Sequence, residues 1–350
     1  MLANRLSYHF NWKGPSFSVA TACSSGVTAL DAAIKSLILD ECDLAACCAV
    51  NHLGQLMSSV AFAQMGIISP TGTSRSMDAD ANGYMRSEGA FCFLLKRLED
   101  AERDGDAIFG VVRGCGLNTA GAEPAADVLT QGRAIVAPVQ VAQEELMASV
   151  AKKAGIDPKS IDYMEAHATG TPVGDAVEGQ AIASVYGGPA RTSLLRLASA
   201  RSNLGHMEAA SFTSSLLKVL LMFQKRQFLP ISSHYKRPNP NIPFDANKIR
   251  IQTACESFPS SKVVVGINSF GFGGANGHCV VEEYLPLKAQ HWSRLPGQAI
   301  LDRSNEKVFT VPFSAKSEQA LVANAKRLIE TLEDEKQASS FDMYTLVANF

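Results

Sequence analysis

The segment "TACSSG" (residues 21–26) sets Cys23 between the β-prone run "SFSV" and small residues that open an apolar helix. A thiol at a helix N-terminus faces unpaired backbone N–H groups and the positive end of the helix dipole, both of which favour the thiolate. An ordinary thiol, with a pKa of about 8.5, is only a few per cent thiolate at neutral pH, so a shift of about one unit raises its reactive fraction several-fold. The same N–H groups can hold a developing oxyanion. The competing reading of a cysteine in such a place is a small buried core residue. Two histidines move the balance toward a nucleophile: His167 in "EAHATGTPVGD" and His206 in "SNLGHMEAAS", each following a predicted strand. A thiol that takes an acyl group, beside neutral imidazoles that donate hydrogen bonds to the enolate of a second acyl group, suits thioester chemistry.

Local patterns predict the elements that must position these groups. From Ser24 to Leu39, Val27, Leu30, Ile34, Leu37 and Ile38 recur at helical spacing, with Asp31 and Lys35 four apart on another face. Strands are expected at "AFCFLL" (90–95), around "IFGVVRG" (108–114), at "IDYMEA" and at "LRLASA"; helices are expected over 140–154, at "DAVEGQAIASVY" and over 207–224. The last of these is apolar nearly all round, which predicts burial, with Lys218 as a lone charge on a snorkelling stem outside the site. "KVVVGI" and "CVVEEY" flank "GFGGANG", a tight loop with Phe272 as its one bulky group; it lacks both the G-K-[ST] of a P-loop and the following helix of a dinucleotide fingerprint. The rhythm is α/β.

Bulk properties narrow the function classes. The 350 residues are 46% hydrophobic with a formal net charge of −2, so no global basic field recruits nucleic acid or anionic lipid. Neither a run of 18 apolar residues nor the apolar core of a signal peptide occurs, which makes a cytoplasmic protein without membrane contact the expectation. The eight cysteines form no C-x-x-C pair and no zinc-like spacing, so no metal site is expected. "AACCAV", "AFCFLL" and "GHCVV" place most of them in apolar surroundings, as reduced core residues. After Tyr284 the chain turns polar and proline-punctuated, then offers a strand and a helix capped at Ser317, a small α/β module.

Taken in order, "TACSSG", "EAHATGTPVGD", "RSNLGHMEAAS" and "NSFGFGGANGH" resemble the β-ketoacyl synthase (ketosynthase) domain of type I polyketide synthases, and "GPSFSVATACSS", "DADANGYMRSEG" and "PNPNIPF" fit the same family. The resemblance covers residues 1–284 as the ketosynthase domain, with the end of its first half at about 1–115 and its second half at about 116–284. The tail with "VPFSAKSEQAL" (within 285–350) looks like the linker that leads to an acyltransferase domain. The fold so implied is thiolase-like, layered α/β/α/β/α, with two similar halves and a homodimeric assembly. The resemblance also implies that Cys23 accepts an acyl chain from the phosphopantetheine arm of an acyl carrier protein, no cofactor being bound directly. His167 and His206 would then assist decarboxylation of a malonyl thioester and hold its oxygen. By the same resemblance the N–H groups of Cys23 and Phe272 form an oxyanion hole, and Thr169 and Thr171 line the pantetheine channel.

The chain departs from that pattern at several points. Arg201 stands where the family usually has lysine, Ala20 where it has aspartate, and Ala168, Ser87, Cys48 and Ala49 where it has glycine. A side chain at any of those four glycine positions is strained if the backbone there is left-handed. A thiolase-type half places about 50 residues or more ahead of its nucleophile, and 22 precede Cys23, which predicts an incomplete first half. Two functions follow as alternatives: decarboxylative Claisen condensation in polyketide biosynthesis, or a catalytically impaired fragment acting at most as an interaction partner of a complete synthase. A cysteine hydrolase of another fold is disfavoured, because no Cys/His/Asn or Asp signature competes with the four motifs.

Overall fold

The computed structural model describes residues 1–121, 137–285 and 317–333. Contacts divide the chain into two compact units, Met1–Leu285 and Pro286–Phe350. The strand expected before Ser317 and the polar stretch after residue 285 lie outside the described residues.

The first unit opens with α1 (Leu2–Phe10) and α2 (Ser25–Ile38), followed by β1 (Ala45–Asn51), α3 (Leu56–Gln64), β2 (Gly89–Leu95) and α4 (Leu98–Asp104). The spacing that predicts α2 is the one it uses: Val27, Leu30 and Leu37 are buried, and Lys35 pairs with Asp31 at 2.6 Å. β1 and β2 form an antiparallel ribbon running from Ala45↔Leu95 to Asn51↔Gly89. Because side chains alternate across a strand, Cys47 turns inward and is buried while its neighbour Cys48 is half-buried and Cys92 exposed. Cys48 and Cys92 are therefore not the core residues that their apolar neighbours suggest.

The remainder supplies β3 (Val111–Thr119), α5 (Gln140–Ala154), β4 (Tyr163–Glu165), α6 (Pro172–Tyr186), β5 (Leu195–Ala198), α7 (Arg201–Leu204), α8 (Ser211–Lys225), β6 (Gln227–Phe228), β7 (Ile249–Ile251), β8 (Glu256–Ser257), β9 (Val264–Phe270) and β10 (Ala275–Glu282). Six of the strands make one sheet in the order β3-β10-β9-β4-β5-β7, and β6 pairs with β8. β9, β4, β5 and β7 run parallel, and β10 is antiparallel to both β3 and β9. Parallel neighbours need crossovers, and α6 supplies the one between β4 and β5. Parallel strands covered on both faces read as continuous apolar runs, and β4 is buried at every position.

α2 lies close enough to β10 that a Cβ on Gly277 would fall 2.0 Å from Val27 Cγ1, so only glycine allows this approach. α8 starts later than its apolar run suggests and leaves Leu217 and Leu221 exposed, so it buries one flank and not its whole surface. In the second unit α9 (Glu318–Glu333) begins at Ser317, whose Oγ accepts the Ala320 N–H at 3.2 Å. Among the described residues no helix is long and apolar enough to cross a membrane.

Of the four residues standing at usual glycine positions, only Ala168 has a positive φ, at +20°. Cys48 and Ala49 lie within β1, and Ser87 has no positive φ, so the expected strain is confined to one position.

Candidate active site

Cys23 ends a tight turn directly ahead of α2. Ala22 is left-handed (φ +52°), and the turn is held by its own hydroxyls: Ser24 Oγ donates to Thr21 O (2.7 Å), Ser25 Oγ donates to Ala22 O (2.6 Å) and accepts the Thr21 N–H (2.9 Å). Ser269 Oγ, at the end of β9, donates to Cys23 O at 2.8 Å and ties the turn to the large sheet. Beyond β9 a Cβ on Gly271 would sit 2.5 Å from Thr21 O, so this close packing also requires glycine.

His206 comes to the same place from the loop after α7. Its Nε2 lies 3.1 Å from Cys23 Sγ. The loop is fixed on both sides: His206 N donates to Met85 O (2.7 Å), Ser87 N donates to His206 O (3.0 Å), and Arg86 grips the Glu208 carboxylate through Nε and Nη2. Tyr84 stands edge-on to the imidazole at 4.9 Å. His167 follows β4, and its ring lies 5.4 Å from that of His206, nearly perpendicular at 85°. The Glu178 carboxylate of α6 anchors this turn by accepting the N–H groups of His167 and Ala168, each at 2.7 Å. Nδ1 of both histidines is buried and has no hydrogen-bond partner, so on the His206 ring the contact that bears on the tautomer is the one between Nε2 and the Cys23 sulfur.

Beneath the histidines lies a buried polar layer. Arg201 donates from Nη1 to Ala166 O (2.9 Å) and Ser215 Oγ (3.2 Å), and from Nη2 to Ser211 Oγ (3.1 Å). The two serines are four apart on α8 and so share one face. Lys218, another turn along, is not a snorkelling stem: its Nζ pairs with Glu165 Oε2 at 2.8 Å and donates to Tyr163 OH at 2.9 Å. The cause is β4, which carries the fully buried Glu165 beneath α8 and leaves that carboxylate in need of a cation. A second chain leads from Glu178 to Asn268 Nδ2 (2.9 Å), from Asn268 Oδ1 to His278 Nδ1 (2.7 Å) and from His278 Nε2 to Tyr186 OH (2.7 Å). Burial depresses His278 to about 3 and keeps it neutral.

The electrostatics reverse one expectation. Burial pushes the Cys23 thiol up to about 11, outweighing the Arg201 charge and the N–H groups of Phe272 and Cys23, which act in the opposite direction. A helix terminus alone lowers a thiol pKa, but the packing around this one removes the water that would solvate the anion. Burial, then Arg201, holds both His167 and His206 well below the usual imidazole range, so both are neutral. The thiol is thus a protonated nucleophile in contact with a neutral base.

The fold brings Cys23, His167, His206, Arg201 and the Phe272 amide together. Thr169 and Thr171 lie on the loop after His167 with their hydroxyls 3.3 Å apart, and the Phe272 side chain is 39% exposed. Glu178, Glu165, Ser211, Ser215, Asn268 and His278 belong to the same constellation and are missed by motif reading. A buried carboxylate or amide on an apolar element was the available signal. Among the described residues no cluster of His, Cys, Asp and Glu could hold a metal ion.

Family comparison decides what this geometry belongs to. Residues 1–101 match the model "Beta-ketoacyl synthase, N-terminal domain", residues 109–236 "Beta-ketoacyl synthase, C-terminal domain", and residues 238–347 "Ketoacyl-synthetase C-terminal extension". The chain belongs to the β-ketoacyl synthase family. Over 348 residues, 94% of its length, this ketosynthase is 34% identical to a highly reducing polyketide synthase of Aspergillus terreus. It is 37% identical over 305 residues, 81% of its length, to the probable polyketide synthase 1 of Dictyostelium discoideum. It spans only 13% and 10% of those two proteins. Two solved structures are similar: the oxazolomycin ketosynthase domain OzmH KS7 of Streptomyces albus JA3453 (TM-score 0.77, 31% identity, 95% of this chain and 55% of that one) and the ketosynthase from module 6 of the bacillaene synthase of Bacillus subtilis 168 (TM-score 0.77, 30% identity, 97% and 56%). The ketosynthase therefore has the expected thiolase-like α/β fold.

Proposed function

We propose that this ketosynthase forms carbon–carbon bonds by decarboxylative Claisen condensation in polyketide biosynthesis, with Cys23 as acyl acceptor. In the first stage the Cys23 sulfur attacks an acyl thioester carried on the phosphopantetheine arm of an acyl carrier protein. Its proton moves to His206 Nε2 and then to the departing carrier thiolate. In the second stage a malonyl thioester loses carbon dioxide, and its enolate oxygen accepts hydrogen bonds from the Nε2–H tautomers of His167 and His206. His206, which takes and returns a proton at Nε2 in the first stage and so ends it protonated on Nδ1, exchanges that proton for one on Nε2 before the second, and its unpartnered Nδ1 holds no bond that opposes the exchange. The enolate carbon attacks the acyl-cysteine, the N–H groups of Cys23 and Phe272 hold the oxyanion, and its collapse releases a β-ketoacyl carrier and the Cys23 thiolate, which takes up a proton from water to restore the thiol.

One observation carries this reading: the 3.1 Å approach of His206 Nε2 to Cys23 Sγ with a second neutral imidazole 5.4 Å from the first. An intact constellation of this kind supports a catalytic role over that of a passive interaction partner. Thr169 and Thr171 contact the pantetheine arm in this scheme, the protein works as a homodimer in the cytoplasm, residues 1–284 form the ketosynthase domain with halves near 1–115 and 116–284, and residues 285–350 lead toward an acyltransferase domain. Incubation with an acyl-pantetheine thioester followed by intact mass measurement tests the first stage. An acyl adduct that disappears in Cys23→Ala is expected, and its absence from the unaltered protein sinks the reading.

A further inference from the structure

The ribbon β1–β2 carries two cysteines that the condensation does not use. Cys48 and Cys92 are direct register partners, and their sulfur atoms lie 2.7 Å apart. Opposite residues in an antiparallel pair have Cα atoms about 4.5 or 5.5 Å apart. Both values fall within the roughly 4.4–6.8 Å that a disulfide spans, so closing a bond here needs no strand movement. Cys115 and Cys279 are likewise register partners, on β3 and β10. Cys279 is fully buried, whereas Cys92 is exposed and Cys48 half-buried. Two cross-strand pairs thus share a register and differ in access.

We propose that Cys48 and Cys92 are a modification site, a dithiol that closes reversibly to a disulfide by exchange with small disulfides such as oxidised glutathione. Cys92 is the entry point, since it is exposed and its sulfur accepts the Cys48 S–H. Burial, and next the neighbouring Cys92, push the Cys48 thiol up to about 12, which leaves Cys92 as the attacking sulfur. The Cys92 thiolate attacks one sulfur of oxidised glutathione, and the first glutathione leaves as a thiolate that takes up a proton. Cys48 then gives up its proton and attacks the Cys92 sulfur, forming the S–S bond and expelling the second glutathione. Two protein thiols are oxidised and one glutathione disulfide is reduced to two thiols. The second step is intramolecular between atoms already in contact, so the mixed disulfide does not accumulate.

The test uses the full 350-residue chain, held folded with oxidised glutathione, then denatured, alkylated with N-ethylmaleimide and analysed by intact mass and peptide mapping. Loss of two alkylation sites of the eight is expected, with one peptide joining Cys48 to Cys92 and full recovery on adding a reductant. Cys115 and Cys279 are expected to remain alkylatable. Cys48→Ser is expected to retain one stable glutathionyl group on Cys92, because nothing is left to expel it. Full alkylation of Cys48 and Cys92 after oxidation overturns the proposal, as does a persistent glutathionyl group on Cys92 of the unaltered chain. The peptide map of the unaltered chain decides the matter even if a variant fails to fold.

Discussion

His206 Nε2 and Cys23 Sγ meet at 3.1 Å although 183 residues separate them in the chain. The contact joins a turn fixed by Ser24, Ser25 and Ser269 to a loop fixed by Met85, Ser87 and the Arg86–Glu208 ion pair. Neither side depends on the other for its shape, so the two groups are pre-positioned and pay little ordering cost when they react.

A thiol raised to about 11 changes how Cys23 responds to alkylation. At pH 7 only about one molecule in ten thousand carries the thiolate at such a pKa. Iodoacetamide labelling of Cys23, followed by peptide mass, is expected to accelerate about tenfold per pH unit and to keep rising above pH 9. A plateau near pH 8.5 would show that the helix terminus and Arg201 outweigh burial.

The two histidines should separate by stage. His206 touches the sulfur and His167 does not, so His206→Ala is expected to slow acylation of Cys23 by about 10²–10⁴-fold, the usual worth of a positioned acid or base. His167→Ala should leave acylation within a few-fold and suppress release of carbon dioxide from a malonyl thioester. Equal losses in both assays from both variants would contradict this division.

Arg201 is a buried cation whose charge acts on Cys23 and on both histidines. Arg201→Met removes the donors to Ala166 O, Ser211 Oγ and Ser215 Oγ together with a buried charge, and is expected to cost about 1–3 kcal/mol in urea unfolding. Arg201→Lys keeps the charge and gives up part of the fork to Ser211 and Ser215. It should fold with a smaller loss and label at Cys23 at a rate nearer that of the unaltered protein. A lysine variant as unstable as the methionine one would show that the bonds, not the charge, matter.

Acid should destabilise the fold from near pH 6.5 downward. His167, His206 and His278 have folded pKa values below the ordinary 6.5, so below that pH the unfolded chain takes up protons that the folded one refuses. Asp175, raised to about 7 by burial, acts the other way, since it holds a proton in the folded state that the unfolded carboxylate has lost, and burial shifts Glu178 in the same direction. Three histidines against two carboxylates leave a net loss of about 1.4 kcal/mol per pH unit for each uncompensated proton. Urea midpoints at pH 7.5 and 5.5 check the sign; a higher midpoint at 5.5 would be inconsistent with it.

Ala168 is buried and left-handed at φ +20°. Deleting a buried methyl costs about 1 kcal/mol, whereas relieving such backbone strain returns about 1–3 kcal/mol. Ala168→Gly is therefore expected to leave the thermal midpoint unchanged or raise it. A loss of about 1 kcal/mol or more would mean that the position carries no strain.

The sequence by itself determined the reacting groups and most of the regular elements. Cys23, His167 and His206 stand out because each sits in a Gly- and Ser- or Thr-rich turn beside an apolar run, α2 follows from its local periodicity, and the end of α5 follows from Gly155. Where a property depends on what lies across the fold, local pattern carried no information. The direction of the Cys23 pKa is set by desolvation, which needs the packed surroundings. The partner of Lys218 is Glu165, 53 residues away on β4, and the exposure of Cys92 depends on strand register. Glu178 reads as an ordinary helix position until α6 is laid under the His167 turn. Only the tertiary structure decided these, because burial, charge pairing and register are relations between distant segments, while propensity and motif act within a few residues.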